Sequence, residues 1–343
     1  MDLEKRDSDM QFGSKVPFLA IWMVTYNHEQ FIQQAVESVM MQKTNFNYKL
    51  FIGEDCSTDT TRQICNELKE KYPDKIELFL NETNIGGTQN ALQIYKECFE
   101  SGAKYIAMLE ADDYWTDPHK LQIQVDFLEA NQEYVLSFHQ VQVLQMDGDL
   151  VEDSITTIPN NYETVETLAK FGNYIHTPSV VYRNCLKSMP IEFAQTPIGD
   201  YFLYMLLAQY GKLKHIEKPM AVYRYGVGVF SGNNSDVMLY KSIKTFVLIA
   251  SALKDKKDIV AILLNRIYGS LKFFNFHIDN GTPSLLLQQL NEEKDNAFLK
   301  QFLVLYLPFV SEKLTEKKLH IERNKLQTFK YHLKGIIKTV IKR

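Results

Sequence analysis

Between Val16 and about Leu144, apolar runs alternate with segments of helical spacing, and that alternation restricts the chain to a mostly parallel sheet covered by helices on both faces. The apolar runs are FLAIWMVT (18–25), YKLFIGE (48–54), KIELFL (75–80), KYIAMLE (104–110) and YVLSFHQVQVL (134–144). They are short and continuous, as strands buried on both faces must be. Helical spacing covers roughly 28–42, 58–72, 87–101 and 117–131. Asp117-Pro118 predicts a helix start, a capping residue followed by proline at the first helical position. Tyr72-Pro73-Asp74 stops the preceding helix, and Asp147-Gly148 predicts a tight hairpin turn.

Residues 150–232 are less regular. They predict a helix near 163–170, a strand near 174–183, a helix from about Asp200 to Gly211 and strands near 213–225. From about 235 onward the pattern is helical, with no internal repeat.

Bulk properties exclude several classes. A 45% hydrophobic content supports a sizeable core rather than disorder. A net charge of −4 argues against a nucleic-acid partner. The four cysteines, Cys56, Cys65, Cys98 and Cys185, form no CxxC pair and are expected to be reduced thiols, which suits a cytoplasmic location. The polar stretch 1–15 has no apolar core of a signal peptide. The longest apolar stretches, Thr245–Leu253 and Phe302–Val310, fall short of the roughly 20 residues that a membrane span needs.

In open parallel sheets, ligands sit at the carboxyl ends of the strands. The residues following the first four apolar runs are Thr25-Tyr26-Asn27-His28, Glu54-Asp55-Cys56-Ser57-Thr58-Asp59, Asn81-Glu82-Thr83-Asn84-Ile85-Gly86-Gly87 and Glu110-Ala111-Asp112-Asp113. All are polar and on one rim, which predicts a shared pocket. No GxGxxG follows the first run and no GxxxxGK[ST] loop exists, so a nucleotide would be held by carboxylates, backbone and a metal. Adjacent Asp112 and Asp113 repel unless a cation neutralises them, and a hard divalent ion with oxygen ligands fits. Gly86-Gly87 allows close backbone approach to a ligand.

Five segments, in order, resemble glycosyltransferase family 2: VTYNHEQFIQQAVESVMMQ, GEDCSTDTT, NETNIGGTQNAL, LEADDYW and IGDYFLYMLLAQYGKL. Together they span about 16–225. The resemblance implies a GT-A fold, an α/β architecture with a mostly parallel sheet flanked by helices, and an inverting glycosyl transfer from a nucleotide-diphospho-sugar. It implies Asp113 as direct ligand of Mn2+ or Mg2+, Asp112 near the donor's ribose or sugar, and Asp200 as general base. It implies that Asp55 accepts the imide N–H of a uracil or thymine base, which a carboxylate is suited to do. Thr25, Tyr26, Asn27, Glu54, Asn84, Gly87, Asn90 and Arg224 complete the expected donor site. His176, in YIHTPSVVYR, and Trp115 are the weaker candidates for an acceptor or phosphate contact.

Two departures from the family pattern stand out. Glu110 occupies a position where the family often has Asp, and the His expected shortly after Arg224 is missing. The segment GVGVFSGNNS that follows is a candidate lid.

The expected organisation is a polar tail (1–15), a transferase domain (16–232) with a nucleotide-binding half (16–115) and an acceptor half (116–232), and a helical C-terminal extension (233–343). Leu326, Phe329, Leu333, Ile336, Ile337 and Val340 recur at helical spacing among lysines, a basic amphipathic helix suited to peripheral contact with the inner membrane face. The expected partners are a nucleotide-sugar donor and a glycan or lipid-linked glycan acceptor. A sugar nucleotidyltransferase and a degenerate, non-catalytic transferase acting as a binding or assembly module are the rival readings. The first would need a glycine-rich basic loop that TYNHEQF lacks.

Overall fold

The run LAIWMVT forms β1 (Leu19–Thr25), the strand around which the sheet is built. Leu19, Ala20, Ile21 and Met23 are wholly buried, as expected of a strand with helices over both faces. In this computed structural model, residues 16–228 and 235–278 are described. They fall into two units, one of residues 16–195 and 199–228 and the other of residues 196–198 and 235–278.

In the first unit, β1 pairs in parallel with β2 (Tyr48–Glu54) and with β4 (Tyr105–Met108), and β2 pairs in parallel with β3 (Ile76–Leu80). The intervening helices are α1 (Ile32–Met40), α2 (Thr61–Lys71) and α3 (Gly87–Glu100). After the short β5 (Tyr114–Trp115) comes α4 (Lys120–Ala130), then β6 (Tyr134–His139). The apolar run 134–144 is broken after His139: Gln142–Leu144 leaves the main sheet as β7 and turns back at Gly148, with φ 93°, to pair with β8 (Leu150–Glu152). The expected Asp147-Gly148 hairpin is therefore present.

The helix expected from Asp117 starts at Lys120. Pro118 gives its carbonyl to Lys43 N–H (2.7 Å), and the Asp117 carboxylate accepts His119 N–H (2.7 Å), so the chain makes a turn before the helix. The strand expected over 174–183 is shorter. Residues Thr177–Ser179 form a helical turn, and only Val181–Arg183 pairs, as β9. The remaining elements are α5 (Val165–Phe171), α6 (Gly199–Leu207), β10 (Lys212–Ile216) and β11 (Ala221–Arg224).

The main sheet has the order β10-β6-β9-β4-β1-β2-β3, with β9 antiparallel to both its neighbours. A second sheet has the order β5-β11-β7-β8. Its β5–β11 pairing sets Tyr114 opposite Val222 and Trp115 opposite Ala221.

The second unit holds α7 (Ser235–Ala252) and α8 (Lys257–Ile278), which pack on each other. Among the described residues no helix is long and apolar enough to cross a membrane. The polar tail 1–15, most of the candidate lid and the basic segment after 322 lie outside the described residues.

Candidate active site

The register of the central strands aligns their carboxyl ends: Thr25 pairs with Glu54, and Glu54 with Leu80. Each loop that follows is tied to its neighbour. Asn27, at φ 54°, accepts Thr58 N–H through its side chain (2.8 Å) and donates its own N–H to the Ser57 hydroxyl (3.0 Å). Thr25 is buried, its carbonyl takes Asp55 N–H (3.1 Å), and its hydroxyl meets His28 Nδ1 (3.3 Å). Tyr26 projects outward, 41% exposed. Burial lowers the His28 pKa, opposed by the charges of Asp112 and Asp59.

Asp55 is 1% exposed, and its carboxylate accepts three N–H groups: Asn81 Nδ2 (3.0 Å), Ile85 N (2.9 Å) and Gly86 N (2.9 Å). It therefore pins the β3–α3 loop in addition to facing the rim. Gly86 has φ 87°, a conformation that glycine adopts without penalty, and Gly87 opens α3. The Asn84 side chain caps the same turn by accepting Gly86 N–H (3.1 Å). Asn90 is buried and donates to the Gly53 carbonyl (2.9 Å), which makes it part of the sheet–helix packing. Glu54 is wholly buried, paired with Arg62 and accepting Ser57 N–H (2.6 Å). Asn81 and Arg62, which sequence reasoning did not single out, are the partners that fix these two acids.

After β4 the chain delivers Glu110, Asp112 and Asp113, whose ligand atoms lie within 4.8 Å of one another. Asp113 Oδ1 accepts Arg224 N–H (2.8 Å), while Oδ2 is buried with no hydrogen-bond partner. Burial, with the charges of Asp112 and Glu110, pushes the Asp113 carboxyl well above its ordinary range. Burial, then Asp112 and Asp200, push Glu110 up to about 8. Acids packed so closely, with one bare buried oxygen, fit a hard divalent cation with oxygen ligands.

Asp200 lies in the first turn of α6. Burial raises its pKa; the Tyr201 N–H, a hydrogen bond from Asn173 Nδ2 (2.6 Å) and the charge of His176 oppose that rise. Its charge also helps to raise the Glu110 pKa, so the two carboxyls interact electrostatically. His176 is engaged with Asp153 (Nε2 to Oδ2, 3.0 Å) and its ring lies 4.8 Å from that of Tyr223. Asn173 and His176 thus both act on Asp200 from one short segment, the first by a hydrogen bond and the second by its charge. Asn173 and Asp153 carry no motif from which the sequence alone would identify them.

One candidate fails on burial. Trp115 is 1% exposed, gives its indole N–H to the Pro178 carbonyl (2.8 Å) and lies under Lys120 Nζ (4.3 Å to the ring), so its face is closed to a sugar. Arg224 is buried as well, its guanidinium bonded to the Asp112 carbonyl and Gln34 Oε1.

Residues 20–187 match the model of glycosyl transferase family 2. An uncharacterized protein of Mycobacterium tuberculosis (strain H37Rv) is 34% identical over 207 residues, 60% of this chain, and the match spans 58% of that relative's length. The glucosyltransferase WfaP of Escherichia coli, named for UDP-Glc and α-D-GlcNAc-diphosphoundecaprenol, is 26% identical over 74% of this chain and 94% of its own. Staphylococcus aureus TarS 1–349, solved in complex with UDP, is 16% identical with a TM-score of 0.57, over 94% of this chain and 89% of that one, and has the same fold. The sheet order, the acidic turn after β4 and the family match lead to one assignment: the fold is GT-A, and residues 20–187 match glycosyl transferase family 2.

Proposed function

We propose that the protein is an inverting glycosyltransferase that moves a sugar from a nucleoside-diphospho-sugar, a UDP-sugar in the first instance, to a hydroxyl of a glycan or lipid-linked glycan. The observation that carries this reading is the bare, buried Oδ2 of Asp113 in the Glu110-Asp112-Asp113 cluster, with the charge of Asp200 felt by Glu110. The family match and the names of the relatives support it.

Asp200 accepts the proton of the acceptor hydroxyl as that oxygen attacks the anomeric carbon. The bond from the anomeric carbon to the diphosphate breaks on the opposite face, and its electron pair leaves with the nucleoside diphosphate. A divalent cation held by Asp113, with Asp112 and Glu110 at hand, would neutralise charge on the departing diphosphate. The α6 N-terminus and Asn173 favour the anionic form of Asp200 against its burial. Asp55 and the backbone of the β3–α3 loop present the base-binding edge, and Thr25, Tyr26 and Asn27 border it. His176 stands on the acceptor side. A cytoplasmic enzyme acting at the inner membrane face suits such an acceptor.

A thermal-shift panel of nucleoside-diphospho-sugars with Mn2+ tests the reading. A ligand that binds only the folded state raises the melting temperature. A UDP-sugar should do so with Mn2+, and Asp113→Asn should remove the metal requirement together with the shift. A panel in which no nucleotide sugar stabilises the protein overturns it.

A further inference from the structure

We infer that Arg224 is a positioning residue for the metal-holding acids and does not clamp the donor's diphosphate. This rests on the metal site proposed above and concerns how that site is held.

The cation comes from far away in the chain. β11 pairs antiparallel with β5, with Val222 opposite Tyr114, and continuing that register by two residues brings Arg224 opposite Asp112. The result is a double grip across 111 and 112 residues of sequence. The main-chain N–H of Arg224 holds Asp113 Oδ1 at 2.8 Å. Its guanidinium donates to the carbonyl of Asp112 and to Gln34 Oε1 on α1. With Oδ1 held and the preceding peptide fixed, the other oxygen of Asp113, a member of the acidic cluster, is left buried and bare.

The guanidinium is also locked in plane. Its carbon lies 4.8 Å from the ring centroids of both Phe31 and Tyr114, and the residue is 8% exposed. A planar fork between two rings, with its N–H groups directed at a carbonyl and an amide oxygen, is oriented for the protein rather than for a ligand. Lysine cannot reproduce this, because its ammonium is a point charge without a fork. A diphosphate clamp would instead need donors open to the rim.

The two roles separate in Mn2+ binding without nucleotide. Free Mn2+ is read from its electron paramagnetic resonance signal during titration of the full chain, with and without UDP. Arg224→Lys should weaken binding of the metal alone about tenfold or more, and adding UDP should not restore the difference. Gln34→Ala, at the exposed end of the grip, should weaken it a few-fold with an unchanged melting temperature, and keeps the test open if Arg224→Lys fails to fold. An Arg224→Lys protein that binds Mn2+ as wild type does, and loses only UDP, overturns the inference in favour of a diphosphate clamp. A purely structural Arg224 would lower the melting temperature and leave the metal dissociation constant of the folded protein unchanged, which also overturns it. Wild-type protein that takes no Mn2+ with or without UDP sinks the proposed function as well, whereas the two preceding outcomes sink this inference alone.

Discussion

The carboxylate of Asp55 accepts the backbone N–H of Gly86 at 2.9 Å, so the residue expected to read the base is also the anchor of the β3–α3 loop. Asp55→Asn exchanges an acceptor for a donor facing N–H groups in a buried place. Hydrogen bonds to charged groups contribute about 1.5–3 kcal/mol each, and the Asn keeps part of the set. The variant should melt several degrees lower before any nucleotide is added, as well as binding UDP more weakly. Equal melting temperatures for the two ligand-free proteins would refute the anchoring role.

Asp200→Asn keeps the size of the side chain and removes its basicity. Turnover should fall about 10²–10⁴-fold, the usual loss for a general base. UDP binding in the presence of Mn2+ should change little. Release of UDP from a UDP-sugar, followed by a coupled assay, measures the first quantity, and calorimetric titration the second. Wild-type turnover in this variant would remove Asp200 from the chemistry.

Asp153 links stability to pH. Burial alone would raise its pKa, but the bond from His176, the Thr156 hydroxyl and the Ile155 N–H outweigh it and hold the carboxyl well below the usual range. A depressed folded-state pKa adds stability above the unfolded-state value, about 3.9, and that stability is lost as pH falls through the folded value. Asp153→Asn should therefore be less stable than wild type by about 1–3 kcal/mol at pH 7. The gap should persist at pH 5 and narrow below about pH 4. Denaturant melts of both proteins across that range provide the check, and a gap that does not depend on pH would contradict the assignment.

Gly53 leaves room for its neighbours. A Cβ there would lie 2.4 Å from Asn90 Oδ1 and 2.6 Å from Ile94 Cγ1. Gly53→Ala should push α3 away from β2 and cost about 1–3 kcal/mol, the range for overpacked cores. It should also weaken the Asn90 bond to the Gly53 carbonyl. A melting temperature within a degree of wild type would show that α3 yields without cost.

The sheet was legible because its strands are apolar on both faces, so β1, β2, β3, β4 and the start of β6 stand out as continuous runs. β9 was not, because its three residues owe their strand character to partners far away in sequence, β4 and β6. The same holds within the site. Asp113, Asp112 and Asp200 stand in local motifs, but the groups that fix them, Arg224, Gln34 and Asn173, reach them through tertiary contacts that no spacing encodes. Trp115 misled for the reverse reason. Its aromatic ring suited an acceptor contact, while its indole N–H had a carbonyl to find in the core.

The antiparallel β9 has a mechanical consequence. Among the described residues it is the sole strand joining β3-β2-β1-β4 to β6-β10, through Val181 and Tyr182. The hydrogen bonds of this short segment are what make the two blocks one continuous main sheet. Opening that seam would separate the wall carrying the acidic turn from the neighbouring block without first melting either one.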